Sequence, residues 1–117
     1  MKKDKAIESM RRRYKRLTAK LAKMGLILQG SITERVILQR PTRGQGKEKA
    51  YGPYYQWTWK RQGKTVTVNL AASQAREFSR AIKNHRKMEE ITRQMRELSL
   101  EILEATTKGV TKRKQNP

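Results

Sequence analysis

The sequence predicts an α+β protein of order α-β-β-β-α. A three-stranded antiparallel meander packs on a long C-terminal helix, and the N-terminal helix forms an antiparallel coiled-coil hairpin against that helix. Three observations carry this. Two stretches space their apolar residues alternately three and four apart, three stretches between them alternate with a period of two, and a short Gly-containing reversal joins the last two.

In the first helix, residues 4–24, Ile7, Met10, Tyr14, Leu17, Leu21 and Met24 step 3, 4, 3, 4, 3 and keep one stripe on one face. Asp4 reads as an N-cap and Gly25 as a stop. The opposite face holds Arg11, Arg12, Arg13, Lys15, Arg16, Lys20 and Lys23, so the helix is amphipathic and strongly cationic. The strands are expected at about 31–39, 53–61 and 65–70. "SITERVILQ" sets Ile32, Val36 and Leu38 on one side, "YYQWTWK" sets Tyr55, Trp57 and Trp59 against Tyr54, Gln56, Thr58 and Lys60, and "TVTVNL" sets Val66, Val68 and Leu70 against Thr65, Thr67 and Asn69. Gly63 suits the positive φ of the reversal Arg61-Gln62-Gly63-Lys64.

The second helix, 73–106, starts from Ser73 as N-cap. Its stripe runs through Phe78, Ala81 and Ile82 to Met88, Ile91, Met95, Leu98 and Ile102, with no Gly or Pro before Gly109. At 1.5 Å per residue it spans about 50 Å, longer than a small sheet can cover. Its first half is therefore assigned to the sheet and its second half to the first helix. Met88, Ile91, Met95, Leu98 and Ile102 are equally candidates for a partner interface or a homodimer, because a heptad seam does not distinguish a cis from a trans partner. Residues 1–106 read as one domain and residues 107–117 as a disordered basic tail.

A sheet of three strands needs one apolar face. Val66, Val68 and Leu70 supply only part of it, so Tyr55, Trp57 and Trp59 are expected to share it as core against the second helix. A base-stacking role for the aromatics is the competing reading, with Tyr54 and Tyr51 better placed for it than the tryptophans. The reverse face then shows Arg35, Tyr54, Gln56, Thr58, Lys60, Thr65, Thr67 and Asn69. It is rich in hydroxyls and amides, lightly cationic and suited to phosphate and sugar.

Charge sets the function class. The chain holds 29 basic and 10 acidic residues, a formal net charge of +19, and a charge of that size calls for a polyanion partner. No apolar run approaches the ~18 residues of a membrane span, no secretory h-region is seen, and Cys is absent. A cytoplasmic protein is expected, with no membrane partner. Residues 1–30 carry ten basic and two acidic residues, while 71–106 carry seven and six, so the long helix is close to neutral. Its start is not, since Arg76, Arg80, Lys83, Arg86 and Lys87 face only Glu77. We expect one continuous polyanion surface from the first helix, the 40–49 loop, the hairpin tip and this basic stretch. The residues expected to contact nucleic acid, on this surface and on the reverse face of the sheet, are Arg11, Arg12, Arg13, Lys15, Arg16, Arg35, Arg40, Arg43, Lys47, Lys49, Tyr54, Lys60, Lys64, Arg76, Arg80 and Lys83.

Catalysis is not expected. His85 is the single histidine, acidic residues do not cluster as a metal-dependent nuclease requires, and "RGQGKEK" lacks P-loop spacing, so no cofactor or metal is assigned. The expected function is a non-enzymatic nucleic-acid-binding accessory protein contacting mainly backbone phosphates, with DNA ahead of structured RNA. The alternatives are a basic adaptor or inhibitor docking on an acidic protein surface or nucleic-acid channel, and a ribosomal-type RNA-binding protein.

Gly30-Ser31-Ile32 with Arg35, then Gly52-Pro53-Tyr54-Tyr55, then Gly63-Lys64-Thr65 make a pattern. Over roughly residues 28–103 the chain resembles an uncharacterised family of short prokaryotic, mobile-element-associated proteins. Where that family carries a cysteine cluster this chain has "LQRPTRGQGKEKAYGP", so any metal role the cluster implies is dropped and the loop reads as a basic arm. The resemblance implies a mobile-element or defence-linked setting and no established activity; a mobile-element or RNA-guided nucleoprotein complex is the setting expected for the function above.

Overall fold

The structure, a computed structural model, describes residues 2–39, 46 and 48–107. Its elements are α1 (Lys2–Ala22), β1 (Ser31–Gln39), β2 (Lys49–Arg61), β3 (Lys64–Leu70) and α2 (Ala72–Thr106). The strands form one antiparallel sheet in the order β1-β2-β3. The α-β-β-β-α order and the α+β class are those the periodicities predict. Two compact units result, a helical one from Met1–Met24 with Lys87–Pro117 and a sheet-bearing one from Gly25–Arg86, and α2 runs through both.

In the helical unit α1 and the second half of α2 meet along the two predicted stripes. Leu17 and Leu98 are 7% and 5% exposed. Ile7, Met10, Tyr14 and Leu21 of α1, Met24 just beyond its end at Ala22, and Met88, Ile91, Met95 and Ile102 of α2 are half-buried, while the charged residues between them are exposed. The residues named as a candidate partner interface are thus covered within the chain's own helical unit. Asp4 is not the N-cap, because α1 already begins at Lys2; it lies in the first turn, where a carboxylate favours the helix dipole.

In the sheet unit the hairpin register pairs Trp57 with Val68 and Trp59 with Val66, and Ile32 of β1 pairs with Trp57. The two indoles stack at 5.2 Å, and Trp57 meets the edge of Phe78 on α2 at 5.4 Å. Ala75 and Ile82 are buried on the same stretch of α2. The tryptophans are therefore core, held half-buried. The Trp57 indole N–H also donates to the Gln29 carbonyl at 2.9 Å. Gly30 follows at φ +114, and a Cβ there would lie 2.5 Å from that same nitrogen and 2.7 Å from the Thr58 carbonyl. Glycine is required here by close approach as well as by φ.

The segment before β1 is tied down further by Asn84, whose amide donates to the Leu26 carbonyl at 2.9 Å, and by the Leu28 N–H bonded to the Ala81 carbonyl at 3.1 Å. At the hairpin, Gln62 and Gly63 have φ 50 and 79, so both central residues are left-handed as a type I′ turn needs.

Two boundaries differ from expectation for local reasons. The cap of α2 is not Ser73 but Ala71, and the Gln74 carboxamide oxygen accepts the Ala71 N–H at 2.8 Å. That is the reciprocal half of a capping box, in which the third helical side chain serves the cap's backbone. Strand β2 starts at Lys49 rather than 53, because the register slips between Arg35 and Ile37: Arg35 pairs with Tyr54 and Ile37 with Tyr51. Two residues, Gly52 and Pro53, stand opposite the single Val36, so pairing resumes beyond a bulge instead of ending there.

Candidate nucleic-acid interface

The sheet presents its faces to different surroundings. Ile32, Tyr55, Trp57, Trp59, Val66 and Leu70 lie on the side that meets α2. On the open side the cross-strand rows are Lys49 with Gln39, Tyr51 with Ile37, Tyr54 with Arg35, Gln56 with Thr33 and Asn69, Thr58 with Ser31 and Thr67, and Lys60 with Thr65. One of these rows is fastened by side chains across all three strands, with Gln56 donating to Asn69 at 3.1 Å and the Thr33 hydroxyl to the Gln56 carbonyl at 3.5 Å. By strand alternation Glu34 falls on the other side, so no described residue of the open face is acidic. Of the residues expected to contact nucleic acid, Arg35, Lys49, Tyr54 and Lys60 stand together on it. Arg35 and Tyr54 are direct cross-strand partners.

Tyr51 joins this face through the bulge. Alternation carried straight back from Tyr55 would set Tyr51 beside the tryptophans, and the extra residue turns it over. Tyr54 and Tyr51 are 47% and 41% exposed.

Arg76, Arg80 and Lys83 are brought together elsewhere. They line, with Ile32, Tyr55 and Ala75, a groove of about 350 Å³ on the helix side of the sheet. Arg80 also pairs with Glu77 at 3.4 Å. This cationic row and the Arg35–Tyr54 row are therefore on opposite faces of the sheet, so the cations of the sheet unit form two separate groups. Ile32 and Tyr55, expected as core from the strand pattern, are the lining of the first of these. The signal for them is their place in the strand period nearest the small residues Ala72 and Ala75, which leave room beside α2.

Lys64 pairs with Arg61 at the hairpin tip, both exposed. In the helical unit Arg11, Arg12, Arg13, Lys15 and Arg16 are all exposed along α1, and Arg12 approaches Glu8 at 4.0 Å. Arg40, Arg43 and Lys47 lie outside the described residues, as does the basic tail from residue 108.

The second half of α2 is internally compensated. Arg93 donates to Glu97 at 2.7 Å and also to Glu90, whose carboxyl its hydrogen bonds, with one from Gln94, pull down from 4.5 to about 2. Among the described residues no three His, Cys, Asp or Glu side chains gather as a metal site. Compared with family models, curated proteins and solved structures, the chain finds no match. No described helix is long and apolar enough to cross a membrane.

Proposed function

We propose that the protein is a non-enzymatic nucleic-acid-binding accessory protein that grips backbone phosphates, with DNA preferred to structured RNA. One observation carries this reading: 10 acidic residues cannot neutralise 29 basic ones. Exposed cations in excess of carboxylates displace condensed counterions when they meet phosphate, and the release of those counterions drives binding. Arg11, Arg12, Arg13, Lys15 and Arg16 on α1 and Arg35, Lys49 and Lys60 on the sheet are the proposed phosphate contacts. Positioning of this kind carries no base specificity by itself. The resemblance in the Gly-Ser-Ile and Gly-Pro-Tyr-Tyr segments supports a mobile-element setting for this binding.

Fluorescence anisotropy with a labelled duplex tests it. The affinity should fall steeply with salt, and replacing Arg11, Arg12 and Arg13 by Gln should flatten the slope by about one for each phosphate no longer neutralised. A salt-independent affinity, or no binding at low salt, would sink the proposal.

A second reading, a basic adaptor for an acidic protein surface, draws on Leu100 and Leu103, which are 52% and 53% exposed in the helical unit. Such a partner would be lost on Leu100→Asp with Leu103→Asp, whereas changing Leu98 would disturb the chain's own packing.

A further inference from the structure

The open face holds two aromatic rings in consecutive rows. Tyr54 lies opposite Arg35 and Tyr51 opposite Ile37, and those β1 positions are two residues apart. Two strand residues advance about 6.8 Å. That is twice the ~3.4 Å rise per nucleotide in one strand of a duplex. Rings at this separation cannot each meet successive bases still stacked on one another, but each can take the face of one base in an unstacked strand.

Charge is arranged along the same line. Lys49 and Lys60 stand at the two ends of the face and Arg35 stands beside the inner ring, with no acidic described residue between them.

We propose, on the basis of the phosphate-binding reading above, that the open face binds a single-stranded segment of nucleic acid. Two successive bases stack on Tyr54 and Tyr51, Arg35 and Lys49 meet the phosphates beside them, and Lys60 meets a phosphate farther along the strand. Stacking uses the ring face that every base has, so the track is tolerant of sequence. The bulge at Gly52 and Pro53 is what builds it, since without the bulge only one ring would face outward.

The test compares a labelled oligo(dT) with a labelled DNA hairpin duplex of equal phosphate number, using the full-length protein. Tyr54→Ala and Tyr51→Ala should each weaken oligo(dT) binding about 5- to 100-fold. Tyr51→Ala should leave duplex affinity and its salt slope unchanged, and Tyr54→Phe should bind as the parent does. Because both rings are exposed, the emission of Trp57 and Trp59 should report an intact fold in every variant. Alanine variants that bind oligo(dT) like the parent, or that lose duplex and oligo(dT) equally, overturn the stacking proposal. In the first case a parent protein that still binds both probes with a steep salt slope keeps the phosphate reading, and a parent that binds neither probe overturns both.

Discussion

The two tryptophans show how a single polar atom separates neighbours that look alike in sequence. Trp57 and Trp59 alternate onto one face and stack on each other, yet only the first has its N–H engaged, by the Gln29 carbonyl. The Trp59 Nε1 is buried with no hydrogen-bond partner among the described residues. An unmade bond on a buried donor costs about 1–3 kcal/mol, so removing that donor offsets part of the area lost with it. Trp57→Phe is expected to cost about 0.5–1.5 kcal/mol for the broken bond to Gln29, beyond the ring area lost. Trp59→Phe should cost at least ~1 kcal/mol less. Urea unfolding of the two variants side by side gives the comparison, and equal losses would mean that the Gln29 bond contributes nothing. Neither bond state is legible from alternation, which orders side chains by face and says nothing of what lies beyond the ring edge.

At the scale of the element, α2 is one continuous helix with two different charge arrangements. Its first half carries Arg76, Arg80 and Lys83 in a row, and its second half closes its charges on itself through Glu90, Arg93 and Glu97. The Glu90 carboxyl is depressed to about 2 by Arg93. Its contribution to stability is therefore complete above the ordinary 4.5 and is lost as pH falls toward 2. These side chains are about half exposed, so the effect is modest and salt-sensitive. Circular dichroism melts between those pH values should show a decline that Arg93→Ala reduces. An identical decline in the variant would assign acid sensitivity to other carboxylates. The helical stripes are legible in the sequence itself, because a 3-4 spacing of Met, Ile and Leu has one geometric outcome. The bulge in β2 is not, since Gly52-Pro53 reads locally as a place where a strand starts rather than one it passes through.

For the whole molecule the governing fact is charge set against a thin core. Among the described residues only Leu17, Ala75, Ile82 and Leu98 are buried apolar side chains, and they work against a formal charge of +19. Self-repulsion of this size opposes compaction, and salt shortens its range from about 30 Å at 0.01 M to about 10 Å at 0.1 M. The melting temperature should therefore rise as NaCl is added, and rise further with a polyanion. A fall with salt would mean that intrachain ion pairs such as Arg93–Glu97 outweigh the repulsion. Three of the named cations, Arg40, Arg43 and Lys47, fall in a Gly- and Pro-containing stretch outside the described residues, so their part in this balance is defined by sequence alone.

Periodicity and composition by themselves determined the element order, the seam residues of both helices, the hairpin turn and the excess of cations that the proposed polyanion partner answers. Each of these is set by spacing along the chain or by a count, and none depends on what folds back against it. Only the tertiary structure decided which cations share a surface. The register of β1 on β2 put Tyr51, Tyr54, Arg35, Lys49 and Lys60 on one face, and the packing of α2 put Arg76, Arg80 and Lys83 on the other. A one-residue bulge reverses the face of every residue beyond it, and its place is set by pairing with a partner strand that no local pattern contains.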